Sequence, residues 1–157
     1  MSEAISLKAV RVRSSTQEGA GLAFWKIAHA LAAMTESDRI KSIKVGFTVE
    51  IADAAKQAFE MTNQSMSELL NLSVATYDRR RRDSKRLDSA ASERLDRIVG
   101  VALLAEEVFE DKKAAAQWMA SPNAALNGSS PVMHCETAIG AQQVRRILNA
   151  LEWGGVA

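Results

Sequence analysis

Cysteine is nearly absent from this 157-residue chain: Cys135 stands alone and has no partner for an internal disulfide. The only other soft ligands are His29 and His134, and no zinc-type spacing links them, so no metal is expected. Two prolines and eight glycines are too few for a disordered or collagen-like chain. No apolar run approaches the roughly 20 residues that cross a bilayer. The first residues, "MSEAISLKAVRVRSS", lack an apolar stretch followed by a small-residue cleavage site, and the expected location is the cytoplasm. An excess of either charge is also missing. A formal net charge of +1 argues against a protein that coats nucleic acid or membrane over its whole surface, and leaves room for a local basic patch.

Alternating β-branched runs are almost missing too, outside "VRVR" at 10–13 and "IKV" at 43–45. Ala, Leu, Glu, Lys, Arg and Gln dominate instead, and the fold class expected is all-α. The length suits one ordinary domain or two small ones packed together. Residues 20–34 place Phe24, Ile27, Ala28, Leu31 and Met34 on one helical face, with His29 off that stripe. Thr48 is read as the N-cap of a helix over 49–61, with Ile51, Ala54, Ala55 and Phe59 at helical spacing. Asp88 caps a long helix over 89–110 whose second half is apolar on nearly every side, the mark of a helix buried by its neighbours or by a second subunit. Asp111 caps "KKAAAQWMA", a loop follows from Pro122, and a single last helix is expected from about Pro131 to Trp153.

Between these lies "SVATYDRRRRDSKR", residues 73–86, with six basic residues against two acidic ones. Ser65 is read as the cap of a short "MSELL", Asn71 as a residue tolerant of the left-handed conformation, and Ser73 as the cap of the next helix. Two short helices around a tight turn fit a helix-turn-helix, whose second helix enters the major groove. Met66, Leu70, Leu72 and Tyr77 fall at its inward positions, with small Ser67 where the helices cross. Arg80 departs from the pattern, since it takes an inward position usually held by an aliphatic residue, where its stem must cover apolar surface. Four successive arginines sweep most of a helix circumference at about 100° per residue, so they do not all face DNA. The DNA-contacting set expected is Gln64 with Ser73, Val74, Ala75, Thr76, Asp78, Arg79 and Arg82; Arg79 is the best base reader, and Arg80 and Arg81 point back or sideways.

The C-terminal third carries the most specific pattern: Trp118, Met119, Pro122, Asn123, Leu126, Gly128, Pro131, Thr137, Gly140, Val144, Leu148, Glu152, Trp153 and Gly154. Taken alone, Pro122 and Asn123 stop a helix and turn the chain, Gly128 permits an unusual backbone angle, Trp118 and Cys135 are core residues, and His134 lies on the solvent side. Trp153, at a helix end beside two glycines, reads as an interface anchor. Together these offsets resemble, without a gap, the toxin-binding C-terminal region of the Xre-type antitoxins that accompany RES-domain toxins. Upstream, "LNLSVATYDRRRR" followed by "RLDSAASERLDRI" is similar to that family's helix-turn-helix and the helix after it, so the resemblance covers roughly 46–157.

The resemblance implies an Xre-like helix-turn-helix bundle over 46–110 and a small helical toxin-binding domain over 111–157, with an N-terminal helical region over 1–45. It implies an antitoxin, not an enzyme, that blocks a RES-domain NAD-degrading toxin and represses its own operon as a homodimer on operator DNA. Neither cofactor nor membrane partner is expected. The toxin contacts expected are Arg145, Arg146, Asn149, Glu152, Trp153, Gly154, Gly155 and the carboxylate of Ala157. The competing reading is a stand-alone helix-turn-helix regulator with an effector-binding C-terminal domain.

Overall fold

The computed structural model describes residues 17–154, and the "VRVR" run at 10–13 lies outside the described residues. The described chain is all-α. Helix α1 (Gln17–Ala33) buries Phe24, Ile27, Ala28 and Leu31 as its periodicity requires, together with Trp25. The Phe24 ring meets Trp25 edge-on at 5.2 Å and Phe59 at 5.0 Å, the T-shaped geometry that aromatic quadrupoles favour. Helix α3 (Val49–Ala58) supplies the other side of that contact. Thr48 stands at its N-cap position, but its side chain makes no capping bond; its backbone instead pairs with Arg86. The helix stops at Ala58, short of the expected 61, because Glu60 turns left-handed at φ 51°.

Between them stands a helix that the apolar pattern does not announce, α2 (Glu36–Val45). No residue of α2 is fully buried, and Ile40 and Val45 are exposed, so no stripe marks it. Its ends carry the signal. Thr35 Oγ1 accepts from the Asp38 N–H at 3.1 Å, acidic Glu36 and Asp38 sit in the first turn, and Gly46 closes the last turn through Ser42 O. Arg39 clamps the helix to the core by donating to both oxygens of Asp96.

Helix α4 (Asn63–Leu70) is capped by Thr62, not by Ser65; the Ser65 N–H donates to Thr62 Oγ1 at 3.0 Å. A threonine three residues upstream satisfies the same orphan donor and gives the helix one more turn. Helix α5 (Val74–Arg82) starts on Ser73, whose Oγ accepts from Thr76 N–H. Helix α6 (Ser89–Phe109) starts on Asp88, which accepts from Ala91 N–H at 2.7 Å. It buries Ala91, Leu95, Ile98, Val99, Val101, Ala102 and Ala105, while Leu103, Leu104, Val108 and Phe109 are half-buried. Helices α1, α2 and α4 pack on it from one part of the chain, and α7 (Lys112–Ala120) and the last helix from the other.

After α7, Asn123 Oδ1 accepts from Ala125 N–H, a 3-10 turn over Ala124–Leu126 buries Leu126, and Gly128 takes φ 84°. The single helix expected from Pro131 is two: α8 (Pro131–His134) and α9 (Ala138–Glu152). Thr137 makes the break, accepting from the Gly140 N–H at 3.0 Å. Gly140 is required there, since a Cβ would lie 1.9 Å from His134 O. The carbonyls of Cys135 and Glu136, released by the break, accept from Arg97 Nε and Nη2 of α6. The buried side chains of all these helices form one continuous core.

Gly46 holds the loop that links α2, α3 and the strap before α6. At φ 101° its missing Cβ leaves room for Leu87 O, which a Cβ would approach to 2.1 Å. Leu87 N–H donates to Phe47 O, and Phe47 N–H to the buried Ser92 Oγ. Gly46→Ala is therefore expected to cost about 2–4 kcal/mol, read as a lower denaturant midpoint with an unchanged m-value.

Candidate functional site

The turn between α4 and α5 has the form of a helix-turn-helix. Asn71 sits in the left-handed region at φ 55°, and Leu72 N–H returns to Ser67 O at 2.8 Å. Met66, Leu69, Leu70 and Tyr77 are fully buried, Leu72 is half-buried, and Ser67 packs at the crossing with its hydroxyl donating to Asn63 O. Tyr77 does more than fill space. Its hydroxyl donates to Asp53 Oδ1 of α3 at 2.6 Å, and desolvation, followed by the Asp53 bond and charge, drives the phenol far above its ordinary range. It therefore stays a neutral donor, and α5 is bolted to α3.

With Tyr77 inward, Val74, Ala75, Arg79 and Arg82 are exposed on α5, as are Ser73 at its cap and Gln64 near the start of α4. Thr76 and Asp78 are half-buried. Thr76 accepts from the Ser73 hydroxyl, and Gln64 reaches Glu68 at 3.4 Å. The arginine run divides differently from the expected pairing of Arg80 with Arg81, since only Arg80 turns inward. Arg79, Arg81 and Arg82 meet solvent, while Arg80 is half-buried and donates from Nη1 to Arg86 O. Arg86 in turn donates to Gly46 O at 2.9 Å. Sequence reasoning places Arg80 inward as a departure from the pattern; the carbonyl that receives its head belongs to the strap, which no local rule reveals. Arg80→Ala should lower unfolding free energy by about 1–2 kcal/mol, whereas Arg79→Ala and Arg82→Ala should stay within about 0.5 kcal/mol, measured by urea denaturation.

On the C-terminal side, α9 turns Gly140, Ala141, Val144 and Leu148 into the core. Arg145, Arg146, Asn149 and Glu152 are exposed along it, and Trp153 at its end is 87% exposed. Gly154 follows at φ 77°; Gly155 and Ala157 lie outside the described residues. Ile139, which the sequence reading passes over, is 72% exposed near the start of α9. An apolar residue next to Gly140 and Ala141 but off their stripe is the signal that marks it. Trp118 is half-buried at the core edge rather than within it, its ring tilted against Phe109 at 5.7 Å. The α7 helix is short and ends there, so nothing closes over the outer face of the indole. Cys135 is fully buried, and burial pushes its thiol up to about 12. His134 is half-buried and meets Gln143 Oε1 through Nε2. Exposed His29 pairs with Glu106 at 2.8 Å beside a shallow acidic depression that also includes Glu107, Glu110 and Asp111.

Among the described residues, no group of three or more His, Cys, Asp or Glu is arranged to hold a metal, and no helix is long and apolar enough to cross a membrane. Two exposed surfaces stand out among the described residues, the outer face of α5 and the outer face and end of α9. Comparison with known proteins assigns the same two regions. Residues 38–100 match the antitoxin Xre-like helix-turn-helix domain, and residues 104–154 match the antitoxin Xre/MbcA/ParS C-terminal toxin-binding domain. An antitoxin Xre from Yersinia enterocolitica serotype O:8 / biotype 1B is 31% identical over 116 residues, 73% of this chain and 78% of that protein. With both domains in order and the relative aligned across most of each chain, the protein belongs to the Xre antitoxin family.

Proposed function

We propose that this antitoxin binds a RES-domain toxin that degrades NAD and neutralises it by blocking the toxin's active-site cleft. The observation that carries the reading is Trp153, a large aromatic left 87% exposed at the end of α9, inside the segment that matches a toxin-binding domain. A solvent-facing indole at a helix terminus has little structural use and suits a partner's pocket. Arg145, Arg146, Asn149, Glu152 and Gly154 are exposed on the same helix and turn. Gly155 and Ala157, which follow this turn in the sequence, belong to the same proposed toxin-binding set. The protein acts by occupying the site and catalyses nothing. The match of 104–154 to a toxin-binding domain favours this reading over an effector-binding regulator.

The second activity is repression of its own operon. Two-fold operators place reading helices about 34 Å apart, so the protein acts as a homodimer, with exposed Leu22 of α1 and the half-buried end of α6 as the surfaces for it. The organisation is an N-terminal helical region over 1–45, a DNA-binding unit over 46–110 and a toxin-binding unit over 111–157. Operator DNA and an NAD-degrading enzyme both place its work in the cytoplasm.

Two measurements test the two activities separately. With a RES-domain toxin as the partner, Trp153→Ala should weaken binding by at least about 2 kcal/mol and release NAD loss on co-expression; full affinity and full protection in the variant would sink the reading. On operator DNA, Arg79→Ala should relax base preference by about 1–3 kcal/mol, and Arg82→Ala should lower the salt slope by about 0.9. Unchanged binding and slope in both would remove the DNA role and leave toxin binding standing.

A further inference from the structure

Gly100 occupies the interior of α6, where glycine costs roughly 1 kcal/mol relative to alanine. The structure shows what the missing side chain makes room for. A Cβ there would lie 2.8 Å from Arg145 Nη2 of α9 and 4.0 Å from Arg39 Nη2 of α2. Two guanidinium groups from two helices thus converge on the bare backbone of a third.

Their partners are unevenly shared. Arg39 donates from Nε and Nη2 to both oxygens of Asp96, one turn earlier on α6, and so engages the whole carboxylate. The neighbouring Arg97 is spent on the carbonyls of Cys135 and Glu136. Arg145 makes no hydrogen bond or ion pair among the described residues, although its Nη2 comes up to the bare Gly100 backbone beside another cation. A planar guanidinium with its donors unspent suits one kind of group, a carboxylate taken through two parallel bonds. The adjacent Arg39 adds attraction without competing for the same position.

We infer that Arg145, laid over Gly100 next to Arg39, receives a carboxylate side chain of the toxin. The inference rests on the toxin-binding reading above and names what part of that surface recognises. Arg145 lies within the toxin-binding match, on the helix that carries Trp153, so the carboxylate site continues the same surface. Arg39 and Gly100 lie in the segment matched to the helix-turn-helix domain. The toxin therefore rests on residues of both matched segments, Arg39 and Gly100 from one and Arg145 from the other.

The test uses the purified protein and a RES-domain toxin that it binds, with affinity measured at low and high salt and self-association of the antitoxin measured in parallel. Arg145 is exposed, so Arg145→Glu should keep the thermal midpoint while weakening toxin binding about tenfold or more. Arg145→Lys should fall between, because a point charge replaces a fork. Gly100→Ala, with Arg145 intact, should also weaken binding by displacing the guanidinium. Reversal of one toxin acid to lysine should restore binding to Arg145→Glu. Wild-type affinity in Arg145→Glu overturns the inference and leaves the antitoxin reading intact. A loss confined to self-association overturns it in favour of a second copy, whose Glu107 and Glu110 are exposed acids. Failure of the wild-type protein to bind any RES-domain toxin overturns both.

Discussion

Helix α6 buries side chains on most of its circumference, and α1, α2, α4, α7 and α9 all rest against it. Each of those helices is short or weakly amphipathic, and alone would be marginal in water. Packing on a common rod stabilises them together. The polar contacts respect the same centre. Asp96 holds α2, Arg97 holds the break between α8 and α9, Ser92 holds the Phe47 amide, and Glu106 meets His29 of α1. The exposed His29–Glu106 contact adds little to stability. Arg39–Asp96, bidentate and partly buried, sets where α2 sits.

The recognition helix depends on two inward groups of opposite character. Tyr77 fixes its start through a neutral hydroxyl on Asp53, and Arg80 fixes its end through a charged head on the Arg86 carbonyl. The strap at 84–88 is thereby drawn against the Gly46 turn, with Leu87 buried beneath it. A basic run that looks uniform in sequence thus contains one structural member among solvent-facing ones. Placing the cation inward leaves the outer face of α5 free of the need to hold its own helix down.

Much of this was legible from residue types, because caps and apolar stripes are local. Ser73, Asp88 and Asp111 mark their helices, and Asn71 marks the turn, since each acts within three residues of itself. Helix α2 was not legible by periodicity because only half-buried Ile43 packs its apolar side on the core and its main polar tie runs to a residue 57 positions away. The break at Thr137 falls among the weak helix formers His134, Cys135 and Gly140, and it persists because Arg97 compensates the freed carbonyls. Helix phase alone separates Arg79 and Arg82 from Arg80. The position of Arg145 over Gly100 follows from tertiary packing, and neither residue signals the other in sequence.

The segment matched to the helix-turn-helix domain ends at Gly100 and the toxin-binding match begins at Leu104, both inside α6. No linker separates them. The 21 residues of α6 form a rod about 31 Å long, and the strap at its start is tied to the turn before α3. A body seated on α9 consequently stands at a fixed offset from a duplex lying on α5. The rod therefore fixes the distance between these two ends, whatever each one holds.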